Sequence, residues 1–238
     1  MDRPASAGAE RATGQAAPDP AASLRLRGEV ALLRSDARLA VDETLRRVAA
    51  VRARLVELHG TDPVERVAWW VRSPESIVVA AVRRGLEPSP GALRRGVTDV
   101  AGVRLVCTSR GDLRPVLGAL LAGPGAGLLA VDDHLAHPPV SGCRALHAVL
   151  AVPVALPGGP GTRTVEVQVL TAVMDAWDAV RRSLDDHAPE DLRARLRSAA
   201  DRADRLDRQL DRIRAEVAAR GSARGTEPAG DAVVRGGE

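Results

Sequence analysis

The chain has 238 residues and a formal net charge of +3, which is the small difference between 34 basic and 31 acidic residues. Hydrophobic residues make up 45% of the chain, enough to support a folded core of one domain with tails or of two small domains. Two cysteines do not make a disulfide scaffold, and no apolar run approaches the roughly 20 residues that span a bilayer.

The charge pattern also bears on partners and location. The chain contains no lysine, so all 34 basic residues are arginines. They are interspersed with Asp and Glu, for example over 201–214. Such interleaving is typical of a solvated, salt-bridged helix face, so nucleic acid is not an expected partner. The N-terminal segment lacks the apolar core of a signal peptide, and we expect a cytoplasmic protein without membrane contact.

The first part of the chain predicts a tail and a long helix. Residues 1–24 lack any hydrophobic period and are expected to be disordered. Apolar side chains recur at spacings of three and four over 28–59, which predicts an amphipathic helix that ends at Gly60.

A short apolar run over 67–71 then leads into a second helix. Ser73 and Pro74 suit an N-cap and a first helical position, and the helix is predicted to end at Gly85. Its amino end, with Arg72 and the Ser76 hydroxyl nearby, suits an anion, although an ordinary capped helix would have the same sequence.

Two later stretches predict strands that each carry an acid. The sequence T-D-V-A-G-V-R-L-V-C-T-S over 98–109 predicts a buried strand with Asp99 and Arg104 at its entry. The sequence T-V-E-V-Q-V-L-T over 164–171 alternates strictly, so Glu166 and Gln168 face away from the valines. In one sheet, Asp99 and Glu166 would meet over one face, where two carboxylates and substrate phosphates can hold Mg²⁺.

The segments between and after these strands predict a helix over 112–121, a strand over 128–131, a strand over 145–152, a turn over 157–161 and a helix over 171–186. The loop over 132–144 holds two acids, two histidines and a cysteine. They are Asp132, Asp133, His134, His137 and Cys143. Their spacings match no common zinc pattern, so the sequence predicts no metal site in this loop.

The last helix is predicted over 188–220 and carries a heptad seam. Its apolar residues are spaced alternately by four and three: Leu192, Leu196, Ala199, Ala203, Leu206, Leu210, Ile213 and Val217. The seam predicts packing on the first long helix or on another subunit. Residues 221–238 are expected to form a disordered tail.

Several of these motifs together resemble the RelA/SpoT synthetase domain. They are V-R-S-P-E-S-I (71–77), T-D-V-A-G-V-R-L-V-C (98–107), S-G-C-R-A-L-H (141–147), V-E-V-Q-V-L-T (165–171) and M-D-A-W (174–177), in the order and spacing of that family. The resemblance covers about 64–187, and the flanking helices suit the small single-domain alarmone synthetases.

The resemblance implies a fold and an activity. The fold would be α/β (α+β), a mixed sheet of about five strands flanked by helices, nucleotidyltransferase-like, with the synthetase domain over 25–187. The activity would be that of a GTP pyrophosphokinase, which transfers pyrophosphate from ATP to the 3′-hydroxyl of GDP or GTP in guanosine tetraphosphate biosynthesis. Hydrolysis of the alarmone needs a separate His-Asp domain, and the chain contains no His-Asp dipeptide.

The resemblance also implies roles for named residues. Asp99 and Glu166 would be catalytic and hold Mg²⁺, and Glu166 would also take the proton of the attacking hydroxyl. The residues on the ATP side would be Trp70, Arg72, Ser76 and Arg104, with Arg104 stacked on adenine. Those on the guanosine side would be Cys143, Arg144, His147 and Gln168. A homo-oligomer through the terminal helices is also expected.

The chain departs from the family pattern at several of these positions. Trp70 stands where an arginine usually stacks on adenine, and an indole can also stack. Cys143 replaces a tyrosine that stacks on guanine, which a thiol cannot do. Arg72 replaces a lysine, Leu170 an arginine, and Arg181-Arg182 a Glu-His pair. Two functions therefore remain open: a synthetase with weakened acceptor binding, or a catalytically degenerate nucleotide-binding or oligomeric regulator.

Overall fold

The computed structural model describes residues 20–225, apart from 87–88, 90–91, 94–95, 98, 124, 126 and 185–187. Within these ranges, no helix is long and apolar enough to cross a membrane. The elements are, in chain order, α1 (Pro20–His59), β1 (Val64–Val71), α2 (Pro74–Arg83), β2 (Ala101–Cys107), α3 (Leu113–Ala122), β3 (Gly127–Asp133), β4 (Leu146–Leu156), β5 (Gly159–Thr171), α4 (Ala172–Ser183) and α5 (Glu190–Gly225).

The five strands form one mixed sheet in the order β1-β2-β5-β4-β3. Strands β2 and β5 are parallel at its centre, and the other neighbours are antiparallel. The prediction of a mixed sheet of about five strands is confirmed. The parallel register places Gly102 beside Glu166 and Arg104 beside Gln168, so the two acid-bearing stretches are neighbours.

The main core lies between α1 and one face of the sheet. The β5 residues Val165, Val167 and Val169 are fully buried there, as the alternation predicts. On the opposite face a smaller core forms under α4 and α5, with Leu170 and Trp177 among its members. Glu166 and Gln168 point to this second face, beyond the part that the smaller core covers.

Three predicted boundaries are wrong. Helix α1 begins at Pro20 rather than at 28, and proline at a first helical position followed by alanines favours that start. Residues 1–19 of the predicted tail lie outside the described residues. The predicted turn over 157–161 is shorter, because the antiparallel ladder continues until Leu156 pairs with Gly159. Helix α5 continues to Gly225, and 226–238 lie outside the described part of the chain.

The seam of α5 divides into two halves. Leu196, Ala199 and Ala203 pack against the smaller core, which includes Trp177 of α4, and the Trp177 indole N–H donates to the Leu196 carbonyl at 2.9 Å. Among the described residues, this half of the seam therefore belongs to the smaller core and not to the main core beside α1. Farther along, the apolar side chains are 45–65% exposed; they are Leu206, Leu210, Ile213 and Val217.

We expect this exposed half of the seam to mediate self-association, because burying apolar side chains between subunits removes them from water. Ile213→Glu should lower the subunit count of the full chain, as measured by light scattering. Val180→Glu is the matched control, since Val180 is a similarly exposed β-branched residue on α4. Equal subunit counts for Ile213→Glu and the unaltered chain would contradict the prediction.

Candidate active site

Asp99 lies just before β2 and is held by two arginines. The Arg72 guanidinium donates to Asp99 Oδ2 at 2.5 Å and to the Asp99 carbonyl at 2.8 Å. Arg84, at the C-cap of α2, donates to Asp99 Oδ1 at 2.8 Å. Burial alone would raise the pKa of Asp99, but hydrogen bonds from Arg84 and Arg72 outweigh it and lower that pKa. Asp99 is therefore a charged carboxylate at neutral pH.

The same cleft contains the predicted anion-binding groups. Arg72 donates to the Ser76 hydroxyl at 3.1 Å, and the Ser73 hydroxyl caps α2 by accepting from the Ser76 N–H at 3.2 Å. Arg72, Ser76, Arg84 and Asp99 all line one cleft beside α2. The structure thus brings the predicted Arg72, Ser76 and Asp99 together. Arg84 is not among the site residues predicted from the sequence, although the basic pair Arg83-Arg84 at the end of the predicted helix could have indicated it.

Glu166 lies on the open part of the second sheet face. The Gln168 amide donates to Glu166 Oε1 at 2.7 Å, and His147 Nδ1 lies 3.3 Å from the same oxygen. Burial raises the pKa of Glu166, whereas the hydrogen bonds from His147 and Gln168 lower it by more. The negative charge of Asp99 also raises the pKa of Glu166, because two carboxylates repel each other.

His147 connects Glu166 to Cys143. Its Nε2 lies 4.0 Å from Cys143 Sγ, while its Nδ1 faces Glu166. Burial alone would lower the pKa of His147, but the interactions with Cys143 and Glu166 raise it to about 9. A protonated His147 donates from both ring nitrogens, which fixes the ring between its two partners.

Arg104 is buried rather than placed at an open strand entry. Its guanidinium donates to Gln168 Oε1 at 2.6 Å, to Asp175 Oδ1 at 2.7 Å and to Asp178 Oδ2 at 2.7 Å. Only 10% of the side chain is exposed. Adenine stacking by Arg104 stays a prediction, and it would require this buried guanidinium to become accessible.

Two of the departures from the family pattern have structural partners on the second sheet face. Arg181 donates to Asp178 Oδ1 at 2.6 Å, and Arg182 also pairs with Asp178. Leu170 is 2% exposed and belongs to the smaller core. These substitutions therefore serve packing and ion pairing in this chain.

Trp70 covers the glycine of the D-x-A-G-x-R motif. Trp70 of β1 pairs with Gly102 of β2, and a Cβ on Gly102 would lie 2.1 Å from Trp70 Cζ2. Only a residue without a side chain allows the indole to lie there. The neighbouring Trp69 points to the other face, where the Arg38 guanidinium lies 3.9 Å from the ring centroid.

The loop before β4 carries the remaining predicted residues. Gly142 has a φ of +93° and approaches Ala200 of α5 so closely that a Cβ would lie 2.9 Å from its methyl group. Arg144 donates to Asp201 of α5 at 2.9 Å and to the Gly142 carbonyl at 2.8 Å. The structure therefore engages Arg144 with α5, while Cys143, His147 and Gln168 lie near Glu166.

Comparison with known proteins shows the family of this chain. Residues 70–185 match the region found in RelA/SpoT proteins. The GTP pyrophosphokinase YwaC of Bacillus subtilis is 30% identical over 164 residues, which are 67% of this chain and 78% of YwaC. The chain belongs to the RelA/SpoT family. The GTP pyrophosphokinase YjbM of the same organism is 29% identical over 76% of this chain and 86% of its own length.

A solved structure is also similar to this RelA/SpoT chain. The Bacillus subtilis small alarmone synthetase 1, bound to its product pppGpp, superposes with a TM-score of 0.68. The two chains are 27% identical, and the match covers 80% of this chain and 96% of the synthetase. The predicted fold class is thereby confirmed.

Gly102→Ala is expected to displace the Trp70 indole, because the added methyl group would overlap the ring. We expect a loss of about 1–3 kcal/mol in the free energy of unfolding, as for other overpacked sites. Gly118→Ala is the control, since nothing lies within 4 Å of its Cβ position in α3. Denaturant unfolding would measure both; a Gly102→Ala variant as stable as Gly118→Ala would contradict the described packing.

The two cysteines should differ in reactivity towards a thiol-alkylating reagent. Cys107 is fully buried in β2, and burial raises the pKa of its thiol to about 12. Cys143 is partly exposed. Mass spectrometry of the folded chain should find the label on Cys143 only, and on both cysteines after unfolding. Rapid labelling of Cys107 in the folded chain would be inconsistent with this core.

Proposed function

We propose that this chain is a GTP pyrophosphokinase of the small alarmone synthetase type, acting in guanosine tetraphosphate biosynthesis and the stringent response. It transfers pyrophosphate from ATP to the 3′-hydroxyl of GDP or GTP. The observation that carries this proposal is the pair of ionised carboxylates, Asp99 and Glu166, beside an arginine cleft in a chain whose relatives are pyrophosphokinases.

Arg72 and Arg84 would change partners when ATP binds. Both guanidinium groups pair with Asp99 in the described structure. Phosphate oxygens are strong acceptors for arginine, so the ATP phosphates would draw Arg72 and Arg84 away from the carboxylate. Ser76 and the amino end of α2 would add hydrogen-bond donors for the same phosphates. Asp99 is then free for another cation.

The donor set of Asp99 and Glu166 fits Mg²⁺, because both carboxylates remain charged at neutral pH and Mg²⁺ takes oxygen ligands. Mg²⁺ bound there would supply neutralisation and orientation of the phosphate oxygens. Its ligands would be Asp99 and Glu166 together with the phosphates of the substrate.

Glu166 is proposed as the group that takes the proton. The 3′-oxygen of the acceptor attacks the β-phosphorus of ATP. The bond from that phosphorus to the oxygen that bridges it to the α-phosphorus breaks, and AMP leaves with that oxygen while the β- and γ-phosphates stay on the acceptor. The proton of the 3′-hydroxyl passes to a Glu166 oxygen, which is ionised because His147 and Gln168 hydrogen-bond to it. Positioning and charge neutralisation provide most of the acceleration in such transfers.

The acceptor side would contain Cys143, Arg144, His147 and Gln168, and the ATP side would also use Trp70 and Arg104. Cys143 has no aromatic ring that could stack on guanine, whereas the tyrosine of the family pattern at this position has one. Since stacking on an aromatic side chain contributes about 1–3 kcal/mol, we expect acceptor binding to be weaker than in a synthetase that has the tyrosine.

Turnover is tested by incubating the full chain with Mg²⁺, radiolabelled ATP and GDP, GTP or GMP, and by separating the products. A 3′-pyrophosphorylated guanosine nucleotide is expected. Glu166→Gln should reduce its formation at least about 100-fold, because a general base typically contributes 10²–10⁴-fold. Glu65→Gln, at an exposed position of β1, is the matched control and should keep activity.

The result also decides between the synthetase and the degenerate regulator. No product from a folded chain across the nucleotide panel would overturn the proposed activity. Nucleotide binding without turnover would then support the regulator.

A further inference from the structure

Three potential metal ligands converge beside the candidate active site. His134, Cys143 and His147 each present a ligand atom, and these atoms all lie within 4.8 Å of one another. The rings of His134 and His147 are 4.7 Å apart between centroids, and His147 Nε2 lies 4.0 Å from Cys143 Sγ.

The strand pairing explains why residues that match no zinc spacing meet here. Asp132 of β3 pairs with His147 of β4, and the His134 N–H donates to the Ala145 carbonyl at 3.0 Å. The chain thus crosses from the end of β3 to the start of β4 within one hairpin-like unit. The sequence predicts no metal site here because the spacing of residues along the loop matches no common zinc pattern. The candidate ligands instead come from both ends of the loop and from β4.

The chemistry of the cluster favours a borderline-soft cation over Mg²⁺. Thiolate and imidazole ligands suit Zn²⁺, whereas Mg²⁺ prefers oxygen ligands such as those of Asp99 and Glu166. In a tetrahedral zinc site, Zn–S and Zn–N bonds place sulfur and nitrogen about 3.6 Å apart. The observed 4.0 Å between Cys143 Sγ and His147 Nε2 requires only a small adjustment.

Two further observations point to a ligand. The Nδ1 atom of His134 is buried and has no hydrogen-bond partner among the described residues, and buried polar atoms normally have one. His147 faces Cys143 with Nε2 while its Nδ1 lies 3.3 Å from Glu166. Metal-binding histidines commonly donate their other ring N–H to a carboxylate, which fixes the ring for the metal.

We propose that His134, Cys143 and His147 form a Zn²⁺ site, with Glu166 as the carboxylate that orients His147. On binding, Zn²⁺ would replace the Cys143 thiol proton and the proton on His147 Nε2, while the Nδ1 proton stays toward Glu166. Three protein ligands leave a fourth position open for water or for an anionic oxygen. The zinc ligands differ from the oxygen ligands proposed for Mg²⁺, but Glu166 takes part in both sites, and Cys143 and His147 also lie on the proposed acceptor side. Zinc binding itself does not depend on whether the chain turns over nucleotides.

The test is zinc binding by the metal-stripped full chain without nucleotide, measured by competition with a chromophoric chelator. One Zn²⁺ per chain is expected, and excess Mg²⁺ should not displace it. Cys143→Ser and His134→Gln should each weaken binding at least about tenfold, since even loss of an outer carboxylate partner typically costs 10–100-fold. With Co²⁺, Cys143→Ser should also abolish the thiolate-to-metal absorption band.

Controls separate this site from unspecific binding. His137→Gln removes an exposed histidine of the same loop, and Cys107→Ala removes the cysteine of the core. Neither should change zinc affinity. Circular dichroism verifies that each variant is folded. If Cys143→Ser does not fold, the zinc affinity of His134→Gln alone decides the outcome. The proposal is overturned by absence of stoichiometric zinc binding, or by zinc binding that a folded Cys143→Ser or His134→Gln variant retains unchanged.

Discussion

The arrangement of the second sheet face depends on the ion pairs and hydrogen bonds of the buried Arg104 guanidinium. A buried charge is very costly unless it is paired and hydrogen-bonded, so Arg104 requires acceptors around it. Gln168 supplies one from β5, and Asp175 and Asp178 supply two from α4. The requirement fixes α4 against this end of the sheet, and α4 in turn carries Trp177, on which α5 packs.

This ion-pair cluster separates two environments on one face. On its α4 side the face is closed by apolar residues such as Val106 and Leu170. On its other side lie Glu166 and His147, which remain partly accessible. Gln168 links the two, because it accepts from Arg104 with its oxygen and donates to Glu166 with its amide nitrogen. The position of the candidate base is thus coupled to the packing of a helix.

The charges of the cleft are balanced in the described structure. Arg72 and Arg84 neutralise Asp99, and His147 with its raised pKa faces Glu166. Each carboxylate that would serve a cation or a proton transfer already has a positive partner. Nucleotide phosphates would therefore replace Asp99 as the partner of the two arginines. This replacement keeps the number of unpaired charges low.

The amino-acid sequence predicts strands β2, β3, β4 and β5, the buried face of β5 and the family, because side-chain alternation and short motifs are local. It also predicts that the stretches carrying Asp99 and Glu166 share one sheet, and the pairing of β5 with β2, which begins just after Asp99, agrees. The burial of Arg104 follows from the packing of distant elements, since its partners lie 64–74 residues away on β5 and α4. The ion pair of Arg84 with Asp99 and the proximity of His134 to Cys143 likewise arise from how separate parts of the chain pack. Contacts between elements depend on how helices and strands pack, and periodicity along the chain does not encode that packing.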